Sequence, residues 1–213
     1  MAVSDKAALR RELRARFAGE SARAEESRLI CGHILQSDMY RQARVVGGYM
    51  PLRHEADVTE VLLDALSSGK TLALPLCGKS PHMTLRQVSS LEELLPGAYG
   101  IPEPAEDSEI IPADALDLLL VPLEGIGPDG MRLGKGGGYY DCLLAGTDVL
   151  TMGCALSWQR AERIPAQAWD RPLRACATCE GVQRYGQPGR VSGVETLDKR
   201  GSENAEKEES GSH

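Results

Sequence analysis

Apolar positions recur at helical and strand spacing through most of the chain, and they predict alternating helices and strands. Leu9, Leu13 and Phe17 fall at i, i+4 and i+8 among Arg and Lys, predicting a helix over residues 3–18. A second helix is expected to run to about residue 37, with Ser21 as its cap and Leu29, Ile30, Ile34 and Leu35 as its buried stripe. Val45 to Met50 and Leu72 to Leu76 are short apolar runs bounded by Pro and Gly. A helical pattern of Val58, Val61, Leu62 and Leu66 lies between them, and this order reads as a β–α–β unit. Asp117 to Pro122 is continuously apolar after its first residue, as expected of a strand covered on both faces, and Val149 to Ala155 is another. The sum is an α/β chain: a single three-layer domain with a mostly parallel sheet, over residues 1–182. Pro96 to Pro112 carries four prolines and reads as an ordered loop. From Gln183 the hydrophobic pattern stops, so 183–213 is expected to be a disordered acidic tail.

The bulk properties narrow the classes. A length of 213 residues suits one domain with a full core, and 42% apolar residues is ordinary for a soluble one. The formal charge is −7, of which residues 195–213 contribute −3, and no basic stripe interleaves with aromatics. That balance argues against binding nucleic acid or anionic membrane. No apolar run has the length of a membrane span and no secretory leader opens the chain, so a cytoplasmic protein is expected. Its six cysteines are irregularly spaced and expected reduced. Cys176 and Cys179 form a CxxC, but two further zinc ligands at comparable spacing are missing, and the pair falls in a segment that reads as a strand. His33, His54 and His82 have no acidic or cysteine partners at ligand spacing along the chain and read as structural.

The chemistry concentrates in Arg132 to Asp141, RLGKGGGYYD. Glycines this dense let backbone N–H groups approach an anion and adopt positive φ. Arg132 and Lys135 add positive charge, the segment from Gly137 can open a helix, and Asp141 then lies about one turn in, where a carboxylate could hold a divalent cation. The stretch reads as a triphosphate cradle, against the plainer possibility of a glycine-rich surface turn. It is no Walker loop, because Tyr139 and Tyr140 follow Gly138 where Lys and Ser or Thr belong. Nor is it a dinucleotide fingerprint, which sits on an early strand. Consecutive helical residues point about 100° apart, so one of the two tyrosines is expected to face the core.

The run from Val121 to Asp141, VPLEGIGPDGMRLGKGGGYYD, resembles the signature of the 5-formyltetrahydrofolate cyclo-ligase family, also called 5,10-methenyltetrahydrofolate synthetase. Lys6 and Arg10 are similar to the paired cations of that family's first helix. Tyr49-Met50-Pro51 with His54-Glu55, Gly69-Lys70, Leu74-Pro75 and Tyr99-Gly100-Ile101-Pro102-Glu103-Pro104 also fit. So do Gln159, Ile164-Pro165, Asp170 and Thr178, so that the likeness spans about residues 5–180. It implies a fold like that of the sugar-phosphate isomerases and CoA-transferases. The implied activity is ATP-dependent cyclisation of 5-formyltetrahydrofolate to 5,10-methenyltetrahydrofolate, with Mg2+, in a monomer. By resemblance, Lys6, Arg10, Arg132, Leu133, Gly134, Lys135, Gly136, Gly137, Gly138, Tyr139 and Tyr140 would bind ATP. Met50, Glu55 and Tyr99, with Lys135, Gly136, Gly137, Gly138 and Tyr139, would bind the folate. Arg132, Lys135 and Tyr139 would act in catalysis, and Asp141 and Asp170 would hold the metal.

The chain also departs from the family. Gly125-Ile126-Gly127 stands where Ala or Gly and then Phe-Asp is usual, Trp169 where a His is usual, Cys142 where an Arg is common, and Arg174 where an acid is common. Two alternatives therefore stay open from sequence: a family member that binds folate or nucleotide without turnover, and a related ATP-dependent ligase for another folate or amide.

Overall fold

The computed structural model describes residues 2–167 and 170–186, with side chains from Asp5 onward. Among the described residues there are five α-helices, α1 Ala2–Arg14, α2 Glu20–Gln36, α3 Asp38–Gln42, α4 Thr59–Ser67 and α5 Tyr139–Leu144, and twelve strands. The first six are β1 Val45–Gly47, β2 Thr71–Cys77, β3 Met83–Val88, β4 Leu95–Pro96, β5 Pro102–Glu103 and β6 Ile110–Ile111. The rest are β7 Leu118–Val121, β8 Gly125–Ile126, β9 Arg132–Leu133, β10 Leu150–Cys154, β11 Ala175–Thr178 and β12 Gly181–Arg184.

Eight strands form one sheet in the order β12-β11-β10-β7-β1-β2-β3-β6. The five central strands, β11 to β2, run parallel, while β12, β3 and β6 pair antiparallel at the edges. Chain order reverses between β1 and β7: from β1 the chain steps to β2 on one side, and from β7 it steps to β10 and β11 on the other. In open parallel sheets ligands gather beyond the carboxyl ends of strands at such a reversal.

All four residues of β7 are buried, and they alternate between two cores. Leu118 and Leu120 face α1, α2 and α4, with Leu13, Ile30, Ile34 and Leu62. Leu119 and Val121 face the other layer, where Tyr140, Leu143 and Leu144 of α5 pack. A strand covered on both faces can be apolar throughout, which is why its sequence shows no alternation. The β–α–β unit forms as expected, with β1 and β2 in parallel register.

Several local expectations change. The first helix ends at Arg14, and Phe17 follows in a turn where it meets His54 edge-on at 4.8 Å between ring centroids. The second helix is capped by Gly19 at φ 99, not Ser21, and its buried stripe is Ser27, Ile30, Cys31 and Ile34, with Leu29 and Leu35 half-buried. The proline-rich loop contributes two paired strands, β4 and β5, and the edge strand β6. Strand β12 carries regular structure past the expected boundary to Arg184, and the rest of the acidic tail, from residue 187, lies outside the described residues, as does Trp169. Among the described residues no helix is long and apolar enough to cross a membrane.

Candidate active site

A cleft of about 350 Å³ opens at the carboxyl ends of β1 and β7. Tyr49, Met50 and Glu55 follow β1, Pro122 and Leu123 follow β7, and the glycine loop from Gly134 to Gly138 closes one side. Tyr99 and the segment Ile101-Pro102-Glu103 form the facing wall. The wall is mainly apolar with a few polar groups, the usual make-up of a small-molecule site.

The glycine loop links β9 to α5. Gly136 and Gly138 hold φ of 100° and 74°, a region that costs a side chain steric strain, and Gly138 caps α5 in the left-handed conformation. At Gly136 a Cβ would also come 3.4 Å from the Arg10 guanidinium. The loop's cations are already partnered. Lys135 Nζ lies 2.8 Å from Glu55 Oε1, and Arg132 Nη2 donates to Asp141 Oδ1 at 2.7 Å. Glu55 is 4% exposed, and its second oxygen accepts from Leu52 N at 2.8 Å. Lys135 thus bridges the glycine loop and the strand end that carries Glu55 and Met50.

The two tyrosines divide as helical geometry requires. Tyr140 packs against the second core under the Arg132 guanidinium, 5.5 Å from its ring centroid, and burial raises its phenol well above the ordinary value. Tyr139 turns to the cleft and meets the Tyr99 hydroxyl at 3.2 Å, a bond that raises the Tyr99 phenol. Tyr99 is 73% exposed and adopts φ 58, a backbone region costly for an aromatic residue.

Helix α1 supplies three cations one turn apart. Lys6 Nζ pairs with Asp170 Oδ2 at 2.5 Å, Arg10 Nε donates to the Gly134 carbonyl at 2.7 Å, and Arg14 forks onto Glu124. Desolvation lowers the Arg10 pKa, partly offset by the Glu124 carboxylate.

The cleft therefore brings together Met50, Glu55, Tyr99, Arg132, Gly134, Lys135, Gly136, Gly137, Gly138, Tyr139, Tyr140 and Asp141. Arg10 touches the loop from behind. Lys6 and Asp170 form a separate pair, with Asp170 also accepting from Gln167 N at 2.8 Å. Leu133 is fully buried, and its carbonyl is taken by Glu124 N at 2.8 Å. Among the described residues, no three His, Cys, Asp or Glu side chains converge as a metal cage.

Sequence reading left several cleft residues unassigned. Met83, at the start of β3, carried no signal, whereas Glu103 lay inside a quoted motif without a role. His82 gains a partner only in space, its Nδ1 lying 3.6 Å from Cys142 Sγ. The replaced family pair does not touch the cleft. Ile126 is buried in the second core, and Gly127 sits in the β8–β9 turn, where a Cβ would meet Asp129 Oδ1 at 2.7 Å.

Comparison with known proteins identifies the family and agrees with the fold. Residues 2–179 match the 5-formyltetrahydrofolate cyclo-ligase family. The chain is 30% identical over 182 residues to the 5-formyltetrahydrofolate cyclo-ligase of Mus musculus, covering 78% of this chain and 90% of that one. To the enzyme of that name from Escherichia coli (strain K12) it is 29% identical over 149 residues, covering 67% and 82%. The NMR structure of Aquifex aeolicus 5,10-methenyltetrahydrofolate synthetase has a TM-score of 0.74 and 31% identity, covering 90% of this chain and 99% of that one. The Mycoplasma pneumoniae 5,10-methenyltetrahydrofolate synthetase, with a TM-score of 0.67 and 21% identity over 83% and 99%, supports the fold alone. On a match across nearly the whole described domain, this chain belongs to the 5-formyltetrahydrofolate cyclo-ligase family.

Proposed function

We propose that this cleft holds ATP on the glycine loop and 5-formyltetrahydrofolate along its apolar wall. The chain is an ATP-dependent ligase that converts 5-formyltetrahydrofolate to 5,10-methenyltetrahydrofolate. The observation that carries the site reading is the Lys135–Glu55 contact, 2.8 Å long, which puts the phosphate loop and the end of β1 in one cavity.

The chemical obstacle is the formamide, whose carbon is a weak electrophile and whose oxygen is a poor leaving group. Transfer of the γ-phosphoryl to the formyl oxygen breaks the bond to the β–γ bridging oxygen and releases ADP. N10 then attacks the formyl carbon and loses its proton, and phosphate departs with the former formyl oxygen. Catalysis of such a transfer is mainly positioning and charge neutralisation. Lys135 and Arg132 suit that task, because each pairs with a carboxylate it can share with incoming phosphate. The backbone of Gly134 to Gly138 lets phosphate oxygens approach without a Cβ in the way. Tyr139 and Tyr99 would fix the folate ring between loop and facing wall, with Met50 beneath it and Glu55 accepting from its donor groups. Lys6 and Arg10 would add charge from α1.

Asp141 fits magnesium. It is a half-exposed carboxylate at the loop's edge with Arg132 on one oxygen, and magnesium takes one or two carboxylates plus substrate phosphates and water. Bound there, the ion would supply Lewis acidity to the phosphates. Asp170 is the second candidate ligand. A cytoplasmic monomer remains the expectation for the working enzyme.

The test is to mix the protein with 5-formyltetrahydrofolate and Mg-ATP and follow methenyltetrahydrofolate by its near-ultraviolet absorbance. Growth of that signal with ATP, and its loss in Asp141→Ala, is the expected result. Binding of both ligands with no signal would overturn the catalytic reading.

A further inference from the structure

We propose that Arg14 and Glu124 are positioning residues that hold Arg10 of α1 against the glycine loop, and so set ATP affinity. The inference rests on the reading of that loop as the phosphate site, and it adds two residues that neither the loop motif nor the paired cations of α1 include.

The contacts close a ring. Arg14 Nε and Nη2 each donate to one oxygen of Glu124, both at 2.7 Å. Glu124 is 2% exposed, and its own N–H donates to the Leu133 carbonyl at 2.8 Å. Leu133 precedes Gly134, whose carbonyl receives Arg10 Nε at 2.7 Å. Arg10 lies one helical turn before Arg14, so the circuit returns to its start. Leu13 reinforces it from the same turn, since it is fully buried and a Cβ on Gly125 would come within 2.7 Å of its Cδ1.

A forked pair fixes orientation as well as distance, because both N–H bonds must be satisfied together. The Glu124 carboxylate also acts on Arg10 through space, raising its pKa while Arg14 lowers it. Without Glu124 the two guanidiniums would repel with no counter-ion between them, and the turn of α1 that presents Arg10 would lose its hold on the loop.

This gives a prediction of unusual sign. A carboxylate near a triphosphate site acts unfavourably through its field alone, so neutralising Glu124 should tighten ATP if only the field mattered. Positioning requires the opposite. Glu124→Gln keeps the shape, and Arg14→Lys keeps the charge but loses the fork. Each variant should raise KM for ATP on the order of tenfold, with KM for 5-formyltetrahydrofolate changed by less than about twofold.

The deciding measurement is calorimetric titration of the full chain with Mg-ATP alone, alongside kinetics and thermal unfolding. Weaker ATP binding in both variants, with a milder effect for Arg14→Lys, supports the assignment. Unchanged or tighter ATP binding with only a lower Tm would show the pair to be a stabilising contact and overturn it. Because titration needs no turnover, an inactive wild type that still binds ATP would refute the catalytic reading and leave the clamp testable. A wild type that binds no ATP would refute both.

Discussion

Removing the amide of Gln159 should destabilise the fold and loosen the cleft together. Its side chain is fully buried and makes three hydrogen bonds. Oε1 accepts from Leu156 N at 2.8 Å, while Nε2 donates to Leu123 O at 2.6 Å and to His54 O at 3.2 Å. One orientation of the amide satisfies all three partners. Those partners follow β10, β7 and β1, so a single side chain ties the carboxyl ends of three neighbouring strands at the rim of the cleft. Gln159→Leu conserves volume roughly and strands one buried N–H and two carbonyls. Each orphaned group costs roughly 1–3 kcal/mol, and local relaxation brings the total to about 3–5 kcal/mol. Against a typical stability of about 5–15 kcal/mol this is a large loss, and it corresponds to a fall in Tm of roughly 10 °C for a domain of this size. Urea unfolding should show a lower midpoint at unchanged slope. Because Leu123 lines the cleft and His54 precedes Glu55, KM for the folate should rise in the same variant. Gln159→Glu should be worse near neutral pH, since a charged oxygen would then face two carbonyls. A loss below about 1 kcal/mol in Gln159→Leu would refute the reasoning and mean that the amide only fills space.

Three further outcomes are expected. Asp141→Asn should abolish or strongly reduce turnover and raise the magnesium concentration needed for half-maximal rate, with a modest fall in Tm, because the substitution keeps an oxygen that can accept from the largely buried Arg132 guanidinium; an unshifted magnesium titration would count against its role. Gly138→Ala should cost about 1–2 kcal/mol from φ 74 alone, since the nearest neighbour of the added Cβ is Pro81 at an ordinary 3.5 Å, and ATP binding should weaken with it; an unaltered Tm would mean the loop adopts another conformation. Burial raises the Cys176 thiol from 9.0 to about 12 and raises Cys154, Tyr49 and Tyr140 well above their ordinary values. A raised pKa means that the folded state keeps its protons longer, so this stability is complete below about pH 9 and is lost as pH climbs toward 12. Thermal unfolding between pH 8 and 11 should show Tm steady at first and then falling, and a Tm that rises with pH across that window would reverse the sign of the argument.

What the sequence determined by itself are the features carried by neighbours along the chain. The β–α–β unit, the doubly covered β7 and the glycine loop opening α5 depend on apolar periodicity or on φ, both of which residue type constrains locally. Strands β3 and β6 escaped for different reasons: β3 mixes apolar and polar residues and is only partly buried beside its hairpin partner β2, and β6 is two residues long and held only by pairing with β3 about 25 positions earlier. The cap of α2 was misplaced for a related reason: Ser21 has the right chemistry, but the chain turns at Gly19. Around the cleft, the loop motif was legible because its glycines, cations and carboxylate are adjacent along the chain. The Lys135–Glu55 bridge, the Arg14–Glu124 fork and the three bonds of Gln159 were not. Apart from the Gln159 bond to Leu156, which spans three positions, they join residues 36 to 110 positions apart, and nothing local distinguishes a buried Glu from a solvated one. Only packing β1 and α1 against the segments around β7 brings them together, because burial is what turns an ordinary charge or amide into one that must find a partner.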